Sequence, residues 1–203
     1  MDRRRGLVLL MASAALGLLA LASNVTTTAQ LSGEANDVLA ARLIVSKLVN
    51  SGTVWAGIGI VAGWWVGRWT WAILGAVVAS ETALAVHYAV GEAVGMYDDT
   101  VWLSNVHWFI AALIVGPVLG VIGSLARRAG ALGTAAALAL PLGALIEPFL
   151  LGMFTMDPIF PWPQRLATAV CGGILVVAGV VGAMLVLRSR AGSPRRRLEH
   201  PAG

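Results

Sequence analysis

The sequence predicts an all-α protein, a polytopic transmembrane helical bundle of six spans with both termini cytoplasmic. Three observations carry this. Of 203 residues, 58% are hydrophobic and 12% charged, and mean hydropathy is +0.82; soluble domains hold about 45–50% and about 25%. Six apolar stretches approach or reach the roughly 17–25 residues that a helix needs to cross ~30 Å of hydrocarbon. The arginines gather beside alternate ends of those stretches, as the positive-inside rule requires. No run of alternating strands points to a β-barrel, and in lipid a helix satisfies its own backbone. This composition excludes a disordered chain, a coiled coil and almost any water-soluble enzyme. The single cysteine, Cys171, excludes an internal disulfide and CxxC chemistry.

The spans fall at about 6–23, 52–67, 70–91, 103–126, 131–154 and 166–187, within one transmembrane domain over 1–203 that ends in a basic cytoplasmic tail, 188–203. Arg3, Arg4 and Arg5 precede span one, Arg68 lies between spans two and three, and Arg127 and Arg128 lie between spans four and five. Arg188, Arg190, Arg195, Arg196 and Arg197 follow span six. An even number of spans puts all of these, 11 of the 14 basic residues, on one side. The other side keeps Arg42, Lys47 and Arg165, with Glu34, Asp37, Glu92, Asp98, Asp99 and Asp157. The expected location is therefore the plasma membrane, multi-pass. The arginine clusters read as a topology signal rather than a nucleic-acid surface, since each abuts a span. An alternative makes span one a cleaved secretory signal ending near Ala20-Leu21-Ala22, though its apolar run is long for one.

Between spans one and two, residues 24–33 are polar and read as a loop. Asn36 or Asp37 is placed to cap a short helix over 38–49. Arg42 and Lys47 lie about 140° apart on that helix, so they form no common polar face. It is expected to lie on, or pack into, the outer face of the bundle.

Small residues recur at Gly59, Gly63 and Gly67, at Gly116, Gly120 and Ser124, and at Gly172, Gly173, Gly179 and Gly182. They let helix backbones approach closely, here within the bundle, with a homo-oligomer or protein-partner interface as the alternative. Trp64, Trp65, Trp69 and Trp71 mark the inner interface, and Trp102, Trp108 and Trp162 the outer one; a ligand-stacking role for Trp102 or Trp108 is the alternative. Pro117, Pro141 and Pro148 free the carbonyls of Leu113, Ala137 and Ala144 within spans.

Ionisable groups inside spans cost about 2.5–3.5 kcal/mol on insertion scales, which makes them the first candidates for function. They are Glu81, His87, His107 and Glu147, accompanied by Tyr88. Glu81, Tyr88 and Glu92 fall within ~20° of one line along span three, and His87 points about 120° away from Glu81. At 1.5 Å per residue, Glu81 lies about 16 Å below the outer end of its span, His87 about 7 Å, His107 about 6 Å and Glu147 about 10 Å. All five residues are candidate ligands of an outward-opening polar pocket beneath Tyr97-Asp98-Asp99. Such a pocket binds, or helps to move, a small ligand.

Two alternatives stand beside it. In an intramembrane acid–base enzyme acting on a lipid or isoprenoid, Glu81 is the general acid and His87 or His107 its partner. In a structural or accessory subunit, the same residues only fix helix register. No cofactor and no metal site is expected, since no HExxH-like spacing, P-loop, GxSxG or strand-borne GxGxxG occurs. The expected partners are the lipid bilayer and a small ligand, with no nucleic acid.

Several segments resemble, as a set, a family of small polytopic integral membrane proteins from actinobacteria, a domain family without an assigned activity. They are Leu48-Val49-Asn50-Ser51-Gly52-Thr53-Val54-Trp55, His87-Tyr88-Ala89-Val90-Gly91, Trp108-Phe109, residues 116–123 and the exit Leu125-Ala126-Arg127-Arg128. The resemblance covers about residues 48–150. It implies a helical membrane fold and an actinobacterial host, and it nominates Asn50, Trp55, His87 and Tyr88. The use of 13 arginines against one lysine also suits a GC-rich genome.

Overall fold

The computed structural model describes residues 3–191, and within them the chain is helical with no β-strand. The elements are α1 (Arg3–Ser23), α2 (Thr28–Leu31), α3 (Asn36–Val49), α4 (Gly52–Val66), α5 (Trp69–Ala93), α6 (Val101–Ser104), α7 (Val106–Leu125), α8 (Gly130–Leu150) and α9 (Trp162–Ala191). Six segments are long and apolar enough to cross a membrane: α1, α3 with α4, α5, α7, α8 and α9. They correspond to the six expected spans, except that the second runs over Asn36–Val66 and takes in α3, which the sequence sets apart as a short helix outside the span.

The boundaries shift for local reasons. A one-turn helix, α2, interrupts the expected loop at 24–33. Its Thr27 hydroxyl accepts from the Gln30 amide and the Gln30 side chain accepts from the Thr27 amide, a reciprocal capping box. Neither Asn36 nor Asp37 caps α3; both lie inside it, and the cap position is Ala35, with no side-chain bond. Span four begins at Val106 because Asn105 ends α6, its amide Nδ2 donating to the Val101 carbonyl at 2.9 Å. Span five stops at Leu150, followed by a turn that needs Gly152 at φ +60°.

α5 packs against α1, α4 and α7, and α4 against α7, so the four form one body with α1 attached mainly through α5. The expected small-residue ridges make that body tight. A methyl group at Gly63 would overlap the Gly120 carbonyl, one at Gly120 would overlap the Ala72 carbonyl, and one at Gly123 would overlap the Ile60 carbonyl. Backbone therefore meets backbone where α4, α5 and α7 cross, the arrangement that substitutes for a hydrophobic driving force in lipid.

The α8–α9 hairpin stands beside this body. α9 packs on α8 and α3 alone among the described helices, and α8 reaches α4 and α7 through smaller contacts. Gly179 of α9 lets the Pro141 carbonyl and Leu145 of α8 approach, and Gly182 sits over the Pro141 ring. The span-five prolines remain within a continuous helix, and Pro148 is fully buried.

One end of the bundle carries the arginines. Arg127 donates to the Trp64 carbonyl at 2.9 Å, and its guanidinium stands 5.8 Å from the Trp64 ring centre. Arg190 donates to the Arg128 carbonyl at 2.6 Å and also to that of Ala126. These cations meet the C-terminal carbonyls of α4 and α7, where the helix dipole favours them. The expected tail residues Arg195, Arg196 and Arg197 lie outside the described residues.

At the opposite end α3 crosses the end of α1. Arg42 donates to the Ser23 carbonyl at 2.9 Å and Ser46 to Asn24 Oδ1 at 2.8 Å. Asn50 Nδ2 lies 3.4 Å from both Ser23 Oγ and Asn24 Oδ1. The three α3 residues are spaced by four, so one helix face binds α1. Near the end of α3, Leu48 packs against Met153, Cys171 and Leu175. α3 is thus a strap from α1 to α9, which matches the outer-face helix expected from the sequence.

Candidate functional site

The break between α3 and α4 is the first polar centre. α4 has 15 residues, about 22 Å at 1.5 Å per residue, which is short for a span. Its exposed first turn is completed from elsewhere. The Ser51 amide donates to the Leu48 carbonyl at 3.2 Å. Gly52 donates to Glu147 Oε1 and Thr53 to Glu147 Oε2, both at 2.8 Å, and the Thr53 hydroxyl reaches Oε2 at 2.5 Å. The Val54 amide donates to Ser51 Oγ at 3.2 Å. Every free amide of the first turn, which would otherwise be orphaned, has an acceptor. The carboxylate also sits where the helix dipole stabilises negative charge. Glu147 is therefore engaged within the chain.

His87 is the second centre. It is buried at 7% exposure, with Nδ1 3.3 Å from the Gly17 carbonyl and Nε2 3.0 Å from the Tyr97 hydroxyl. A carbonyl only accepts, so Nδ1 donates to it and Nε2 accepts from the tyrosine. The approach depends on Gly17, where a methyl group would overlap the Ala83 carbonyl of α5.

Tyr88 points into an aromatic cluster instead. Its ring centre lies 6.1 Å from Tyr97, 6.2 Å from Trp102 and 5.8 Å from Phe109. Leu84, Val101 and Trp55 complete the cluster. Trp102 donates from Nε1 to Glu92 Oε2 at 2.7 Å, tying the outermost acid of the expected stripe to the same group. The ring of Trp102 thus stacks on protein.

Glu81 lies two turns before Tyr88 on α5. Val77 of α5 contacts Gly116 of α7, and Leu84 packs with Phe109 and Ala112 of α7. Glu81 falls between these contacts on the same helix face. Its Oε1 is shut off from the surroundings and has no hydrogen-bond partner. No described side chain closes an ion pair with it.

Three residues expected at similar depth therefore part ways. His87 faces α1 and Tyr97, Glu147 faces α4, and His107 is exposed beside Trp108, ring centres 4.9 Å apart. His87, Tyr88 and Glu81 do share α5, with Glu81 beneath the aromatic cluster. Residue counts give a position along each helix; the direction of each side chain is set by packing. Gly52, Thr53 and Tyr97 are the partners that sequence reasoning did not assign. Ser51-Gly52-Thr53 carries the signal of a helix start, but nothing in one sequence pairs it with an acid 94 residues away. Among the described residues, no group of three His, Cys, Asp or Glu side chains is arranged to hold a metal.

The fold and these polar centres define a multi-pass α-helical protein suited to a lipid bilayer. No family model, curated protein or solved structure matches the chain.

Proposed function

We propose that this is a plasma-membrane protein with both ends cytoplasmic, which binds, and helps to move, a small ligand at Glu81 from the non-cytoplasmic side. The carrying observation is Glu81 Oε1, shut off without a partner on a side chain that is itself half-buried among apolar helices. An unmatched carboxyl in such surroundings costs several kcal/mol unless a proton, cation or donor meets it. Tyr88, in the aromatic cluster with Trp102 and Phe109, stands between Glu81 and Glu92 along α5, so entry from the acidic end would run past it. The basic residues flanking the spans support the orientation. The segments resembling an actinobacterial membrane family support the host.

The acid–base reading has less support. His87 uses both ring nitrogens on Gly17 and Tyr97, and His107 is exposed, so neither is placed as a partner of Glu81. A structural or accessory subunit is the second reading, favoured because Glu147, His87 and Glu92 are each satisfied within the chain.

Native mass spectrometry of gently solubilised wild type, Glu81→Gln and Glu147→Gln separates these. The proposal expects an added mass on wild type and on folded Glu147→Gln, lost in Glu81→Gln. A bare mass for all three would overturn it in favour of the structural reading.

A further inference from the structure

A second feature opens at the arginine-bearing end and stops at Val78, one turn short of Glu81 on α5. Between α1 and α5 runs a groove of about 250 Å³. Gly6 and Leu10 of α1 and Trp71, Gly75 and Val78 of α5 line it, all apolar. Gly6 and Gly75 form its buried floor, and Leu10, Trp71 and Val78 its exposed walls. Arg3 lies three residues before Gly6, and Arg68 three residues before Trp71. Each is one turn from the groove, on the side towards the helix start, the direction in which helical side chains lean. Both are exposed, as are Trp69 and Trp71. From this rim to Val78 no acidic residue occurs on either helix.

An apolar slot that opens at a cationic, tryptophan-bearing rim matches one amphiphile: an acyl chain attached to an anionic head group. A free phosphate would not use the slot, and a lipid without net negative charge gains less from the arginines. We propose that the α1–α5 groove is a binding site for an anionic phospholipid, with one acyl chain against Gly6 and Gly75 and the phosphate at Arg3 and Arg68. Long basic side chains near helix ends reach the interface in this way, and each cation near an anionic head group contributes on the order of 1 kcal/mol.

The test is native mass spectrometry of the full chain in micelles doped with equal phosphatidylglycerol and phosphatidylcholine. Two arginines at that strength give wild type about a tenfold or greater preference for one retained phosphatidylglycerol. The Arg3→Gln/Arg68→Gln variant should lose the preference. Val78→Trp, which fills the groove from its exposed side, should lose the retained lipid with both arginines intact. Equal retention of the two lipids by wild type would overturn the proposal. So would a Val78→Trp variant that keeps its phosphatidylglycerol, since the arginines alone would then explain binding. Elution as a single folded species qualifies each variant; should Val78→Trp misfold, Leu10→Trp blocks the groove from α1.

Discussion

Glu147 closes the first turn of the helix that begins at Gly52: one carboxylate oxygen takes the Thr53 amide and hydroxyl, while the other takes the amide of Gly52. These bonds join the α8–α9 hairpin to the four-helix body. Removing the carboxylate strands two backbone donors, at about 1–3 kcal/mol each. Glu147→Ala should therefore lower stability by about 3 kcal/mol or more. Glu147→Gln should cost less, since its amide oxygen keeps one donor. Thermal unfolding followed by size-exclusion chromatography reads both; a Glu147→Ala protein as stable as wild type would remove this pin from the account.

Tyr97→Phe tests the His87 arrangement. The aromatic packing remains and one hydrogen bond goes, so the expected loss is about 1 kcal/mol. Nitrogen NMR of labelled histidine should show Nδ1 protonated in wild type, as the Gly17 carbonyl demands. A protonated Nε2 with bare Nδ1 would contradict the assigned donor.

Glycines separate by what surrounds them. Gly63→Ala forces a methyl group onto the Gly120 carbonyl and should cost about 3 kcal/mol. Gly143→Ala meets open space and should change stability by no more than about 1 kcal/mol, towards stabilisation. Equal effects would mean that the α4–α7 crossing is looser than described.

The proposed orientation has a direct test. In a Cys171→Ala background, Ser104→Cys should react with a membrane-impermeant maleimide in intact cells. Ala129→Cys should react only after permeabilisation. The reverse pattern would invert the protein.

Much of this was legible in the residues. Arg68, Arg127 and Arg128 beside apolar runs placed the span ends to within a few residues, and hydropathy needs no tertiary information to do so. Gly63 and Gly120 announced close contact. The site was less legible because residue counting yields depth along a helix, whereas its rotation depends on neighbours. His107 and Glu147 were matched in depth, yet one is exposed and the other binds α4. The α2 capping box was written in Thr27 and Gln30 but masked by the polar composition around it.

The hairpin of α8 and α9 joins the bundle late: α9 packs on α8 and α3 among the described helices, with Arg190 alone reaching the end of α7. A chain is inserted from its N-terminus as it is synthesised. α1, α4, α5 and α7 leave the ribosome first and can close their shared glycine crossings while Glu147 is still unmade. Until α8 arrives, the Gly52 and Thr53 amides have no protein acceptor. A quality-control factor that reads exposed polar backbone would therefore find its signal at the start of α4, and insertion of α8 would silence it.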